Sequence, residues 1–274
     1  MKKLKLIIKF LFILCAFYII FQKININELK NIKIQNSFFL FLAFIFYNIS
    51  QIISALRVHL YLKNIKITPT FKKQLMLYYV GMFYNTLLPG GVGGDAYKAY
   101  KFEKKYKKGY KKILKALLID RISGLFAILF LLGFLTPFSN FKNFLWFLFF
   151  LVILAPLILY LIHKFFFREF NYFPFVYSLI VQLLQALSFL SILLALGINQ
   201  HIIDFLILFF ISSVISVIPV SVGGIGLREL TFLYGLEYLH LNPAVGVIGA
   251  FLFFIVSVIS SAIGILFLKG VEDV

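Results

Sequence analysis

The chain has 274 residues, 62% of them hydrophobic and 14% charged, with a formal net charge of +17 at pH 7. Soluble domains carry roughly 25% charged residues, so this balance argues against a water-soluble fold. The apolar runs are continuous rather than alternating, which argues against a membrane β-barrel and for helices that each need roughly 20 apolar residues to cross a bilayer.

In chain order, a basic start (1–9) leads into an apolar stretch that ends at Phe21 without a small-residue cleavage pattern, so it is expected to persist as an uncleaved anchor. Cys15 lies inside it and has no partner elsewhere in the chain, which removes any intrachain disulfide. Crossings are predicted near 6–21, 37–62, 117–136, 144–162, 174–196 and 243–268. Two further apolar stretches, 75–88 and 202–218, each run into a proline and a cluster of glycines, unlike an ordinary stop-transfer end.

Lys and Arg accumulate on the cytoplasmic side of a membrane. With the N-terminus inside and both Gly-ended stretches returning to the side they came from, 22 of the 27 basic residues fall on the cytoplasmic side. Lys23, Lys30, Lys33, Lys142 and Arg228 remain on the other. A full crossing from Leu75 would instead place the most basic segment, 98–115, outside. Re-entry is therefore predicted, with both termini cytoplasmic. The basic stretch 97–108 predicts that the first return limb surfaces almost at once. Irregular backbone at membrane depth survives only where protein or a wet cavity satisfies it, so two such tips imply an interior polar space.

The Gly clusters are related. Pro89-Gly90-Gly91-Val92-Gly93-Gly94 and Pro219-Val220-Ser221-Val222-Gly223-Gly224 share the pattern Pro-x-x-Val-Gly-Gly at a separation of 130 residues, and Gln51 to Leu56 resembles Gln182 to Leu187 at 131. The predicted fold is therefore all-α, one integral membrane domain of about six crossings plus two re-entrant elements. Its half-repeats, about 1–136 and 143–270, are expected in opposite orientation, as in many secondary transporters.

Glycine permits close backbone approach, and a helix beginning after such a turn presents unpaired amides suited to phosphate or carboxylate. Gly90, Gly91, Gly93, Gly94, Gly223, Gly224 and Gly226 are thus candidates for contacting a lipid phosphate, with tight helix packing as the alternative. Arg228 offers a fork of donors for the same phosphate; a structural ion pair with Glu229 or Asp95 is its alternative. Asp120 and Arg121 open the third long crossing and Arg57 closes the second, either lining a cavity or snorkelling. Asn48, Gln51 and Ser54 share one helical face, as do Ser178, Gln182 and Gln185, so both stripes are expected to face the bundle interior.

The basic run 101–115 is expected beside an anionic leaflet and does not require nucleic acid as a partner. The four histidines are scattered, no nucleophile and base pattern appears, and no metal, cofactor or enzymatic activity is expected.

The stretch Asn85 to Asp95, the pair Asp120-Arg121 and the later stretch Ile218 to Glu229, with Arg57, resemble the flippase-like membrane region of lysylphosphatidylglycerol synthases over nearly the whole chain. In two-domain relatives a cytoplasmic domain transfers an aminoacyl group from tRNA to phosphatidylglycerol, and the membrane region is credited with moving the product outward. The sequence stops at Val274, so that transferase domain is not expected here. The resemblance implies lipid handling in a bacterial cytoplasmic membrane, with an anionic or aminoacylated phospholipid as partner. Two other readings stay open. One is a membrane subunit that anchors a separate lipid-modifying enzyme or glycosyltransferase. The other is an ion-coupled solute transporter using Asp95 or Glu229.

Overall fold

A computed structural model of the chain describes residues 2–24, 32–87, 93–167, 172–218, 221 and 223–271, and among these every regular element is a helix. They are α1 (Lys2–Lys23), α2 (Ser37–Asn64), α3 (Phe71–Leu87), α4 (Gly93–Tyr106), α5 (Tyr110–Leu135), α6 (Lys142–Leu145), α7 (Leu151–Phe167), α8 (Phe173–Ala195), α9 (Ile202–Ile215), α10 (Leu227–Tyr238) and α11 (Pro243–Leu266). Among the described residues, five segments are long and apolar enough to cross a membrane: α2, Tyr110–Phe138, Trp146–Phe166, α8 and α11. The first predicted crossing falls on α1, a helix of 22 residues.

Two predicted boundaries move. The helix expected from 117 begins at Tyr110, because Gly109 takes a φ of 95° and Ile113 and Ala116 already pack inside. The helix expected from 144 is broken. The short α6 and a 3-10 turn, Trp146–Phe150, precede α7, where the backbone of Leu148 lies against Gly133 of α5.

The bundle exposes large apolar side chains and sets small polar ones within its apolar core. Phe165, Ile153 and Leu14 are exposed, whereas Ser50, Ser54, Ser123, Ser178, Ser188 and Ser260 are buried. Between helices in lipid there is little hydrophobic driving force, so packing of small residues and hydrogen bonds between helices hold such a bundle together. Asn48 does this for three helices: it donates to Ser260 Oγ on α11 at 2.9 Å and accepts from Tyr79 OH on α3 at 3.0 Å.

α2 and α8 form the most extensive helix pair. The other neighbours match when α2 to α5 is set against α8 to α11. α3 packs on α4 as α9 does on α10, α4 on α5 as α10 on α11, α3 on α11 as α9 on α5, and α5 on α8 as α11 on α2. Helix ends match too. After α2, Ile67 N donates to Leu62 O and Lys66 N to Lys63 O; after α8, Ile198 N donates to Leu193 O and Gly197 N to Leu194 O. These are the paired bonds of a Schellman stop, with Lys66 and Gly197 at positive φ in the same place.

The 17 residues of α3 and 14 of α4 reach about 25 and 21 Å at 1.5 Å per residue, and the 14 of α9 and 12 of α10 reach about 21 and 18 Å. Each falls short of a hydrocarbon core about 30 Å thick. In the first hairpin the limbs touch backbone to backbone, since a Cβ on Gly94 would overlap the carbonyl oxygen of Gly81. Gly94→Ala should therefore force the limbs apart and cost about 1–3 kcal/mol, the usual range for overpacking. At Gly249 an added Cβ would sit 3.5 Å from Phe189, an ordinary contact, so Gly249→Ala should leave stability unchanged or higher. Thermal melts of the two purified variants in detergent check the contrast.

Candidate functional site

Three helices of the first half bring charge together inside the bundle. Arg57, near the end of α2, is 6% exposed and Asp120 of α5 is 7% exposed. They form a two-pronged pair, Nε to Oδ1 at 2.7 Å and Nη2 to Oδ2 at 3.2 Å. The third guanidinium nitrogen, Nη1, donates to Ser178 Oγ on α8 at 2.9 Å, and Ser178 in turn bonds Ser123 Oγ at 3.2 Å. Arg57 and Asp120 therefore do not snorkel; each is the other's counter-charge.

Asp95, in the first turn of α4, pairs with Lys98 at 2.6 Å one turn on and with Arg121 of α5. Lys98 also lies over the ring of Tyr78 at 5.0 Å. α4 runs for 14 residues with Lys98 and Lys101 buried, because Asp95 and the Tyr78 and Tyr97 rings compensate them. Arg57, Tyr78, Met82, Asn85, Asp95, Lys98, Asp120 and Arg121 enclose a polar cavity of about 170 Å³. Among the described residues that line it, three cations face two carboxylates. Tyr78 and Lys98 were missed by motif reasoning, and Asn85 was read as part of a motif without a role of its own. The available signal for Lys98 was its place three residues after Asp95, and 130 residues before Arg228.

The second half repeats the geometry with different chemistry. Arg228 stands at the equivalent place on α10, but among the described residues it forms no ion pair with Glu229, Asp95 or any other carboxylate. Its Nη1 donates to Ser213 Oγ at 3.2 Å and its guanidinium lies 5.4 Å from the centre of the Phe253 ring. Tyr47 of α2 touches the same ring edge-on at 5.6 Å, so Phe253 joins Arg228 to the central helix pair. Glu229 is fully buried and turns back to accept the Gly226 amide at 2.6 Å through Oε2.

The glycines serve packing and caps at several positions. The Gly94 amide donates to Asn85 Oδ1 at 2.7 Å and that of Gly226 to Glu229, so the amide cradle expected for phosphate is not formed at these two. Gly223, Gly224 and Gly226 have φ of 63°, 82° and 85°, a left-handed turn that side chains disfavour. Gly93 begins α4; Gly90 and Gly91 lie outside the described residues. In the polar stripes, Gln51 accepts from Tyr78 OH at 3.4 Å, Gln182 is buried with Oε1 unpartnered among the described residues, and Gln185 is half-buried.

The contribution of the Arg57 and Asp120 pair to stability can be measured directly. Asp120→Ala strands a buried guanidinium and should cost about 3–5 kcal/mol, whereas the double change Arg57→Met with Asp120→Leu removes both charges and should recover most of it. A double-mutant cycle of thermal melts in detergent checks this.

A family model described as the lysylphosphatidylglycerol synthase TM region matches residues 6–179 and 172–264. Among curated proteins and solved structures, none is similar enough to match. The matched stretches take in both hairpins, the central α2 and α8 pair and the charged groups described above, and on that footing this multi-pass membrane protein belongs to the lysylphosphatidylglycerol synthase transmembrane-region family.

Proposed function

We propose that this chain is a non-enzymatic lipid translocator of the cytoplasmic membrane, which passes an anionic phospholipid headgroup between two half-repeats of opposite orientation. The observation that carries this reading is Arg228. It is a guanidinium inside the bundle with no carboxylate against it among the described residues, at the position where the other half holds Lys98. Charge at membrane depth is costly and tends to mark a pathway, and guanidinium matches phosphate with forked hydrogen bonds. The polar cavity at Lys98 and Arg121, where three cations face two carboxylates among the described residues, supplies a second station for the same phosphate. An apolar groove of about 490 Å³ along α9 and α10, lined by Leu208, Ile211, Leu227 and Leu230, suits acyl chains that stay in lipid while the headgroup moves inside.

The matched helix contacts and the short limbs support two hairpins that enter from opposite faces and return, and the distribution of Lys and Arg along the sequence supports a cytoplasmic N-terminus. In a chain with Cys15 replaced, single cysteines at Thr70 and Lys108 should both be labelled from the cytoplasmic side, and those at Gln200 and His240 both from the other. Labelling of either pair from two different sides removes the re-entrant arrangement. In reconstituted vesicles, Arg228→Ala should slow transbilayer movement of labelled phosphatidylglycerol by roughly ten- to a hundredfold, the loss of one charge-assisted contact. Unchanged movement with intact folding rejects Arg228 as the headgroup contact.

A further inference from the structure

Arg228 and Glu229 are adjacent in sequence yet look in different directions. Arg228 reaches Ser213 and the Phe253 ring. Glu229 is 0% exposed; its Oε2 takes the Gly226 amide, and its Oε1 has no hydrogen-bond partner among the described residues. A buried carboxylate oxygen left idle is costly, which is the ordinary condition for a carboxyl that spends part of its time neutral. Asp95 and Asp120 differ in this respect, for each is held by cations through both oxygens.

Few other charges act on Glu229. α10 packs against α1, α9 and α11. α11 carries no titratable residue. α9 carries Asp204, at its first turn and bonded to Asn140. The described side chains of α1 offer Cys15, Tyr18 and Lys23, and Lys23 is paired with Glu237 two turns along α10. On α10 itself stand Arg228, Tyr234, Glu237 and Tyr238. Arg228 is the charge whose field reaches the carboxyl.

We propose that Glu229 is a proton-binding site that loads together with the anionic headgroup at Arg228, which makes the translocation proton-coupled. The inference rests on the proposed function and adds the coupling ion. With Glu229 ionised and no lipid bound, Arg228 and Glu229 sum to zero. With a phosphodiester bound and Glu229 protonated, Arg228 and the phosphate again sum to zero. The two half-loaded states each carry a net charge inside a low-dielectric bundle, where charge interacts far more strongly than in water. Proton and lipid anion therefore favour each other's binding, and by linkage each raises the other's affinity. One O–H bond forms on the loading side, with a proton taken from water, and breaks on the release side; no electron moves. The pair travels together, so a proton gradient drives the anionic lipid toward the alkaline side.

The test uses the purified full chain in detergent, in weakly buffered solution with a pH-indicator dye and dioctanoyl phosphatidylglycerol as probe; lipid binding is followed separately by calorimetry. Wild type should take up about one proton per lipid bound when Glu229 is ionised in the free protein, and its apparent affinity should fall about tenfold for each unit of rising pH in that range. Glu229→Gln, which still accepts the Gly226 amide, should bind the lipid without proton uptake and with a flat pH dependence. Dioctanoylglycerol, with the same chains and no phosphate, should cause no uptake. Lipid binding without proton uptake in wild type, or uptake that persists in Glu229→Gln, overturns the proton site and leaves the headgroup reading standing. No binding of phosphatidylglycerol to wild type overturns the headgroup reading and the coupling with it.

Discussion

A charge buried among apolar helices has to be answered at close range, and in this protein the two-pronged contact of Arg57 with Asp120 is the answer on which the rest is arranged. It ties α2 to α5, and through Ser178 it reaches α8, the partner of α2 in the central helix pair. With hydrocarbon outside, sequestering apolar surface gives helices little reason to associate, so directional polar contacts of this kind take a larger share of specifying the bundle. The same requirement explains why α4, basic as it is, stays packed. Lys98 finds Asp95 and the face of Tyr78, and the helix that brings them together closes the polar cavity.

The two halves keep one backbone plan and diverge in chemistry. Schellman stops recur after α2 and α8, and helix neighbours exchange in matched pairs, yet the first half carries Asp95, Lys98, Asp120 and Arg121 around its hairpin while the second carries Arg228 without an ion pair. Symmetric folding with asymmetric chemistry places a cluster of ion pairs and a guanidinium without an ion pair among the described residues at corresponding positions. Under the proposed function a phosphate would meet the two differently: at the first it would compete with carboxylates already in place, and at the second it would give Arg228 the ion-pair partner it lacks among the described residues.

Much of the fold was legible in the sequence because the bilayer enforces it: long apolar runs, a basic bias and two Pro/Gly interruptions suffice to place the long helices and the breaks between them. The equivalence of the Gln51 and Gln182 segments was also readable, and it lands on the helix pair at the centre of the bundle. What could not be read was which side chains meet across the breaks. Arg57 and Asp120 are 63 residues apart and nothing local joins them. The glycine amides looked free for phosphate, but Asn85 and Glu229, one before its turn and one after, take two of them. Lys98 was hidden in a basic run whose remaining members are mostly exposed, and only its spacing from Asp95 distinguishes it.

The packing of the hairpins differs in the same sense as their charge. In the first, Gly94 meets the backbone of Gly81, and backbone against backbone has no rotamer to adjust. In the second, the atoms nearest Gly224 belong to the side chains of Ser216 and Arg228, and those nearest Gly235 to Leu208. Side chains can change rotamer at modest cost where a main chain cannot move without its hydrogen bonds. The limb whose guanidinium has no ion pair among the described residues is thus also the one whose close contacts can rearrange. The limb with the neutralised lysine is fixed where its cavity needs walls.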